Sequence, residues 1–349
     1  MFAVGRLRRT PLLRCRVVLN EAMAAHAHTH DHIDWASRIP DLRRADELDA
    51  AAFATIAARL TVTLSQGATV VDVGSGARGM SAALAAALAT RGGGTLLLVD
   101  AVPELLTVAA ETAVAGASRG AATGGVAPEA GPADADVAGT PRSGDVTVGA
   151  GGATTVSIET VRADVAARPL GDLVPSADLV WAASMIHHLP DQQAGIAGLA
   201  SALAPGGVLA VAEGGLETQT LPWDLGVGEP GFERRLMATG DEWFAEMRAS
   251  IDGVVRMPYG WSAALGNAGL ADVSSFTALI DHPAPVTASV REFVIARLER
   301  LVETVDDRIR DEDRDTARRL LDRSGPDYLG NRDDLYVLGT RTVHFGRKP

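Results

Sequence analysis

One lysine, Lys348, and one cysteine, Cys15, occur among 349 residues. A lone cysteine excludes an intrachain disulfide and any thiolate cluster for a metal. Arginine takes the place of lysine and alanine is abundant, a bias of high-GC coding that carries no functional information. Positive charge is short overall. The formal net charge of −12 works against general binding of nucleic acid or an anionic membrane, both of which select cationic faces. No apolar run is long enough to span a bilayer. Coiled-coil heptads are missing too, which leaves the oligomeric state open. A hydrophobic share of 47% is ample for a buried core in one large domain or two small ones, so a fibrous or wholly disordered chain is excluded.

Residues 1–22 hold five arginines and a single acid, Glu21. Such composition fits a transit-type presequence or a start that properly falls at Met23, and in either case the segment is expected to lie outside the fold. His26, His28, His30 and His32 alternate. A helix would pair them at i, i+4 for a metal, and a strand would put all four on one side. No carboxylate or cysteine framework supports a structural site, so a solvated lead-in is expected and no metal. Residues 116–153 are Gly, Ala, Pro, Ser and Thr with scattered acids. They hold too little apolar surface to offset chain entropy, and a disordered insertion is expected there.

The stretch Thr69-Val-Val-Asp-Val-Gly-Ser-Gly-Ala-Arg-Gly79 and the alanine-rich segment after it read as strand, tight loop, helix. Gly74, Gly76 and Gly79 permit positive φ and leave no side chain between backbone and ligand. Their spacing is also G-x-G-x-x-G, which alone does not separate a dinucleotide fold from its relatives. A second strand, Leu96-Leu-Leu-Val-Asp100, ends in an acid placed to accept both ribose hydroxyls. Asp72 makes the distinction. A pyrophosphate on the helix N-terminus is poorly served by a nearby negative charge. A cofactor with no phosphate and a cationic sulfonium tolerates that charge or gains from it.

Further along stand Val161-Arg-Ala-Asp164, Ala177-Asp-Leu-Val-Trp-Ala-Ala-Ser184, Met185-Ile-His-His-Leu-Pro-Asp191 and Leu203-Ala-Pro-Gly-Gly-Val-Leu-Ala-Val-Ala-Glu213. With these the chain resembles the class I S-adenosylmethionine-dependent methyltransferases. Four family signatures appear in order: D-x-G-x-G, the acid ending the second strand, the HHLPD segment after the fourth, and L-x-P-G-G-x-L entering the fifth. The resemblance spans roughly residues 45–345, the insertion apart. Arg78 stands where the family usually has a third glycine, displaced here to Gly79, and Ala204 replaces a common lysine or arginine.

The resemblance implies an α/β fold with a Rossmann-like seven-stranded sheet, mostly parallel, the last strand antiparallel beside the fifth. Helices cover both faces and a helical cap is added. The expected organisation is a flexible extension over 1–44 and a methyltransferase domain over 45–348. A cap segment is expected over 216–262, where Trp223, Trp243, Tyr259 and Trp261 fall, joined by Phe232 and Phe244. Those aromatics either line the acceptor site or form the cap's own core. Strands are expected at 154–162, 178–183, 207–213, 272–280 and 335–345. Trp35 and residues 43–60 are expected in one or two helices before the first strand, and further helices at 230–250, 260–268, 287–305 and 311–323.

The implied cofactor is S-adenosyl-L-methionine, and the implied reaction is direct SN2 transfer of its methyl to a small organic acceptor. No nucleic acid or membrane partner is expected, and a cytoplasmic enzyme is. Asp100 would take the ribose hydroxyls, Gly74 and Gly76 the close approach of the loop. Asp164 with the backbone of Val165 would meet the adenine, Asp72 would orient the loop or the methionine amino group, and Ser184 would face the methyl. His187 and His188 are candidate bases, since an imidazole of pKa near 6.5 can remove a proton from an acceptor atom. Glu213 competes for that role. Two other readings stay open: a silent module that binds the cofactor without turnover, and a nicotinamide-dependent oxidoreductase resting on the literal glycine spacing.

Overall fold

The computed structural model describes residues 15–19, 35–76, 79–123 and 155–349. Its strands are β1 (Cys15–Leu19), β2 (Thr69–Val73), β3 (Gly94–Asp100), β4 (Val156–Arg162), β5 (Ala177–Ala183), β6 (Leu203–Ala212), β7 (Ala271–His282) and β8 (Val337–Arg347). They form one sheet in the order β1-β4-β3-β2-β5-β6-β8-β7. Only β8 runs against the rest, antiparallel to both β6 and β7. The seven expected strands are all present, and the antiparallel insertion beside the fifth is among them. The strand order reverses at β2, which pairs with β3 on one side and β5 on the other. In open α/β sheets a reversal of this kind opens a crevice at the carboxyl ends of the strands.

Both faces of the sheet are covered. Val70, Leu96, Leu98, Ile158, Leu179 and Trp181 point to the side of α1 (Trp35–Thr61), α2 (Met80–Thr90), α3 (Pro103–Thr123) and the later α7 (Ala288–Val305). Val71, Val73, Leu97, Val99, Val180 and Leu209 point to the side of α4 (Gln192–Ala200) and α6 (Trp261–Asn267). Strands buried on two faces read as continuous apolar runs rather than alternations, which is why they were recognisable. Among the described residues no helix is long and apolar enough to cross a membrane.

Three boundaries differ from expectation. Residues 1–22 were expected outside the fold, yet β1 pairs in parallel with β4 from Cys15↔Ile158 to Leu19↔Arg162. The apolar Cys-Arg-Val-Val-Leu run thereby satisfies a sheet edge that would otherwise expose unpaired N–H and C=O groups. The extension expected over 1–44 also ends early, because α1 is one helix from Trp35. Its first turns are held by Ile39 and Leu42 against Val102, Leu105 and Val108. The insertion expected from residue 116 starts inside α3 instead. A Cβ at Gly116 would lie 2.2 Å from the Ala82 carbonyl oxygen, and one at Gly120 2.3 Å from that of Ala86. The small residues that suggested disorder are thus the seam that lets α2 and α3 touch backbone to backbone. The rest of that insertion and the four alternating histidines lie outside the described residues.

The cap carries α5 (Phe232–Ser250) and is fastened by buried acids. Glu233 accepts from the amide of Thr220 at 3.0 Å, its hydroxyl at 2.7 Å, and the amide of Leu221 at 3.1 Å. Asp313, on α8 (Asp311–Leu321), accepts from Arg235 at 2.7 Å and from Arg310 at 2.9 Å. Burial raises the Asp313 carboxyl pKa, and the hydrogen bonds from Arg235 and Arg310 more than reverse this, leaving it below the ordinary value.

Thermal unfolding tests the helix seam. Gly116→Ala should cost about 1–3 kcal/mol by overpacking. Gly240→Ala, on α5 with nothing within 4 Å of the added methyl, should instead add about 0.4–1 kcal/mol. Asp313→Asn should cost about 3 kcal/mol at neutral pH, because two arginines lose a buried partner. The native pKa is depressed, so this contribution is present above the unfolded value of about 3.9 and is lost as pH falls through the lower native value. The gap between Asn variant and wild type in urea titrations should therefore narrow below about pH 4.

Candidate active site

The glycine loop leaves β2 at the point of reversal. Gly74 and Gly76 have φ of +63° and +54°, a region that L side chains rarely adopt. The amides of Gly74 and Ser75 donate to the Val99 carbonyl at 2.8 and 3.2 Å, lacing the loop to the end of β3. A Cβ at Gly74 would meet the Met185 side chain at 3.2 Å, so the loop also lies against the segment that follows β5. At Gly79, where α2 begins, Phe53 and Asp46 of α1 stand within 3.4 Å of such a Cβ. Arg78 lies outside the described residues.

Asp100 ties the loop down. Its Oδ2 accepts from the Gly76 amide at 2.9 Å and its Oδ1 from the Val102 amide at 2.9 Å. Each carboxylate oxygen can accept more than one hydrogen bond, so these tethers do not use up its capacity. Asp72 is buried beneath the loop, where its Oδ2 accepts from the Ser81 hydroxyl of α2 at 2.6 Å. That contact joins the strand to the helix on either side of the glycines. Beside it the Ser75 hydroxyl is buried with no hydrogen-bond partner among the described residues. One strand over, the Ala163 amide donates to the Asp100 carbonyl at 3.0 Å. Asp164 follows, its Oδ1 accepting from the Ala166 amide at 2.8 Å. Val165 packs on the same hydrophobic cluster as Met185.

On the other flank, Ser184 ends β5 with φ of +50° and donates its amide to the Ala212 carbonyl at 3.0 Å. A non-glycine residue held in that region stores backbone strain, which clusters at functional sites. Next comes a short 3-10 turn, Ile186–His188. The buried Glu213 organises it. Glu213 Oε1 accepts from the amides of Met185 and Ile186, both at 2.8 Å, and Oε2 lies 2.6 Å from His187 Nδ1. The His188 ring centroid is 4.0 Å from that of His187, and Phe244 of α5 meets His187 edge-on at 5.6 Å. Arg248 of α5 donates to the carbonyls of His187 and Leu189, both at 2.7 Å. Desolvation lowers the Arg248 pKa from its ordinary value.

The sheet therefore gathers the expected site residues along the carboxyl ends of its strands: Asp72 in β2 with Gly74 and Gly76 after it, Asp100 at the end of β3, Asp164 and Val165 after β4, Ser184, His187 and His188 after β5. Glu213, weighed from sequence as a rival base, lies within hydrogen-bond distance of His187. Ser75, Ser81 and Arg248 were not singled out. Serines in a glycine turn and an arginine on an amphipathic helix carry no sequence signal of their own. Of the aromatics in 216–262, Phe232 is buried in the cap and Phe244 faces His187. Trp223 is 60% exposed beneath the Arg234 guanidinium.

Residues 71–211 match the family described as Methyltransferase domain. No curated relative matches the chain. Among solved structures, a methyltransferase from Thiobacillus denitrificans in complex with S-adenosyl-L-homocysteine is 16% identical, over 89% of this chain and 98% of that one, with a TM-score of 0.43. The YcgJ protein of Bacillus subtilis is 16% identical, over 86% and 99%, with a TM-score of 0.39. A phosphoethanolamine N-methyltransferase from Haemonchus contortus is 14% identical, over 90% of this chain and 59% of that one, with a TM-score of 0.41. The match likens residues 71–211, less than half of the chain, to a methyltransferase domain.

Proposed function

We propose that this chain transfers a methyl group from S-adenosylmethionine to a small organic acceptor by direct SN2 displacement. One observation carries the reading. A two-glycine loop, tied to Asp100 and touching Met185, stands beside a strained Ser184 and a carboxylate-held His187. The residues fit a sulfonium nucleoside. Gly74 and Gly76 turn the loop with positive φ, a Cβ at Gly74 would press on Met185, and the Ser75 hydroxyl supplies a buried polar group wanting a partner. Asp72, Asp100, Asp164 and Glu213 make the crevice acidic, which favours a cationic sulfonium and disfavours a dinucleotide's pyrophosphate.

In this reading Asp100 receives the ribose hydroxyls, and Asp164 with the backbone of Val165 receives the adenine. Gly74 and Gly76 admit the methionine portion, Asp72 holds their loop, and the Ser184 backbone faces the acceptor side. His187, with His188 against it, takes up the acceptor's proton. S-adenosylmethionine supplies an electrophilic methyl on a positively charged sulfur. The protein's own task is alignment and exclusion of water, and alignment is worth up to about 7–11 kcal/mol in intramolecular reactions. Residues 45–348 act as one methyltransferase domain, and the 216–262 segment caps the acceptor side, a placement supported by Phe244 on His187. The net charge of −12 supports a reading without nucleic-acid or membrane partners.

Calorimetric titration with S-adenosylhomocysteine, with NADH in parallel, tests the cofactor half. Micromolar binding of the former and none of the latter is expected. Asp100→Ala should weaken it at least about tenfold, since hydrogen bonds to a charged group contribute about 1.5–3 kcal/mol. NADH binding, or an unaffected alanine variant, would overturn the assignment. For the acceptor half, Phe244→Ala should raise the acceptor KM and leave S-adenosylhomocysteine affinity within about twofold, because an edge contact between aromatic rings contributes about 0.5–1.5 kcal/mol beyond its area.

A further inference from the structure

We infer that Glu213 is the positioning residue that fixes His187 as a base through Nε2, and that the acceptor is a neutral phenol-like hydroxyl. The inference rests on the methyl-transfer reading above and names the acceptor class for that same site. Its first support is a hydrogen-bond count. Glu213 is 2% exposed, and its Oε1 already receives two backbone amides. Oε2 stands 2.6 Å from His187 Nδ1. An ionised carboxylate only accepts, so Nδ1 carries the proton, and in the neutral imidazole Nε2 then holds the lone pair.

The ring has little freedom to present anything else. Arg248 grips the His187 carbonyl, Phe244 meets one edge of the imidazole and His188 covers another part of it. Met185, two residues before, touches Gly74 of the cofactor loop. The base is therefore held next to the place where the methyl donor is proposed to sit, and its side chain keeps 26% exposure.

A base is useful only to an acceptor that must lose a proton. Tertiary amines and thioethers need none. A hydroxyl does: its proton passes to His187 Nε2, an oxygen lone pair forms the new C–O bond, and the C–S bond breaks with its pair going to sulfur. The positive charge that began on sulfur ends on the imidazolium, which the Glu213 carboxylate stabilises until water takes the proton. A phenol, with an ordinary pKa of about 10, lies about 3.5 units from a free imidazole's 6.5. That gap is bridgeable in a transition state, whereas an aliphatic alcohol lies far beyond it. Carboxylate and phosphate acceptors are already ionised near neutral pH and need no base.

Glu213→Gln tests this with the backbone contacts preserved. The amide oxygen can keep the Met185 and Ile186 amides, which turns its NH2 toward Nδ1 and forces the opposite tautomer. Long-range 1H–15N spectra of the imidazoles should show Nδ1–H at His187 in the wild-type protein and Nε2–H in the variant. Wild-type Nε2–H would overturn the inference without any acceptor at hand. Methyl transfer is then followed with phenol, catechol, 4-nitrophenol, benzyl alcohol, benzylamine and dimethylglycine. Methyl ethers of the phenols are expected. Glu213→Gln should lower kcat for phenol about 100-fold or more with KM little changed. The loss should shrink to within about tenfold for 4-nitrophenol above pH 8, where that acceptor is already ionised.

A defect equal for all phenols, or turnover of dimethylglycine alone, would overturn the acceptor class. S-adenosylhomocysteine affinity should be unchanged in the variant, and failure of the wild type to bind it would sink the methyl-transfer reading rather than the His187–Glu213 couple. If Glu213→Gln does not fold, His187→Gln takes its place in the acceptor series and the wild-type tautomer still decides the first point.

Discussion

The strand β2 is buried on both faces and has neighbours that lead the chain away in opposite directions. A parallel strand so placed cannot be followed by a side-chain-bearing loop that packs over its end. The chain must turn at once, and it does so through Gly74 and Gly76. Everything else at the mouth of the sheet is arranged around that turn. Asp100 ties it to β3, Asp72 ties the strand beneath it to α2, and Met185 closes against it from β5.

A second theme is the use of buried carboxylates as organisers rather than as isolated charges. Glu213 collects two amides and an imidazole, Glu233 collects an amide pair and a hydroxyl, and Asp313 collects two guanidinium groups. Each replaces lost water with donors at hydrogen-bond distance, the condition under which a buried charge is tolerated. Glu213 and Arg248 act on the same short turn from opposite sides, one through its amides and one through its carbonyls. The turn that carries His187 is therefore pinned from both the sheet and the cap.

Much of this was legible before any coordinates. Strands with two buried faces announce themselves as apolar runs, and the glycine turn, the acid after the second strand and the Pro-Gly-Gly entry to β6 have fixed places along such a sheet. Composition and packing disagree at three places in the chain. Gly116 and Gly120 resemble a disordered linker when counted, yet they sit where two helix backbones meet. Cys15–Leu19 belongs to a segment of presequence-like composition, yet it finds a sheet edge to satisfy. Ile39 and Leu42 fall in the expected extension over 1–44, yet they pack against the start of α3 within one helix that begins at Trp35.

By itself the sequence determined the alternation of strands and helices, the turn after β2 and the set of acids along the sheet's edge, because each depends on local spacing and on residue type. Only the tertiary structure decided which of those acids does what. Glu213 and His187 are separated by 26 positions and meet because β5 and β6 are adjacent in the sheet. Phe244 and Arg248 reach the same turn because α5 folds back across it. Such meetings depend on which strands and helices become neighbours, and no local period in the chain encodes that.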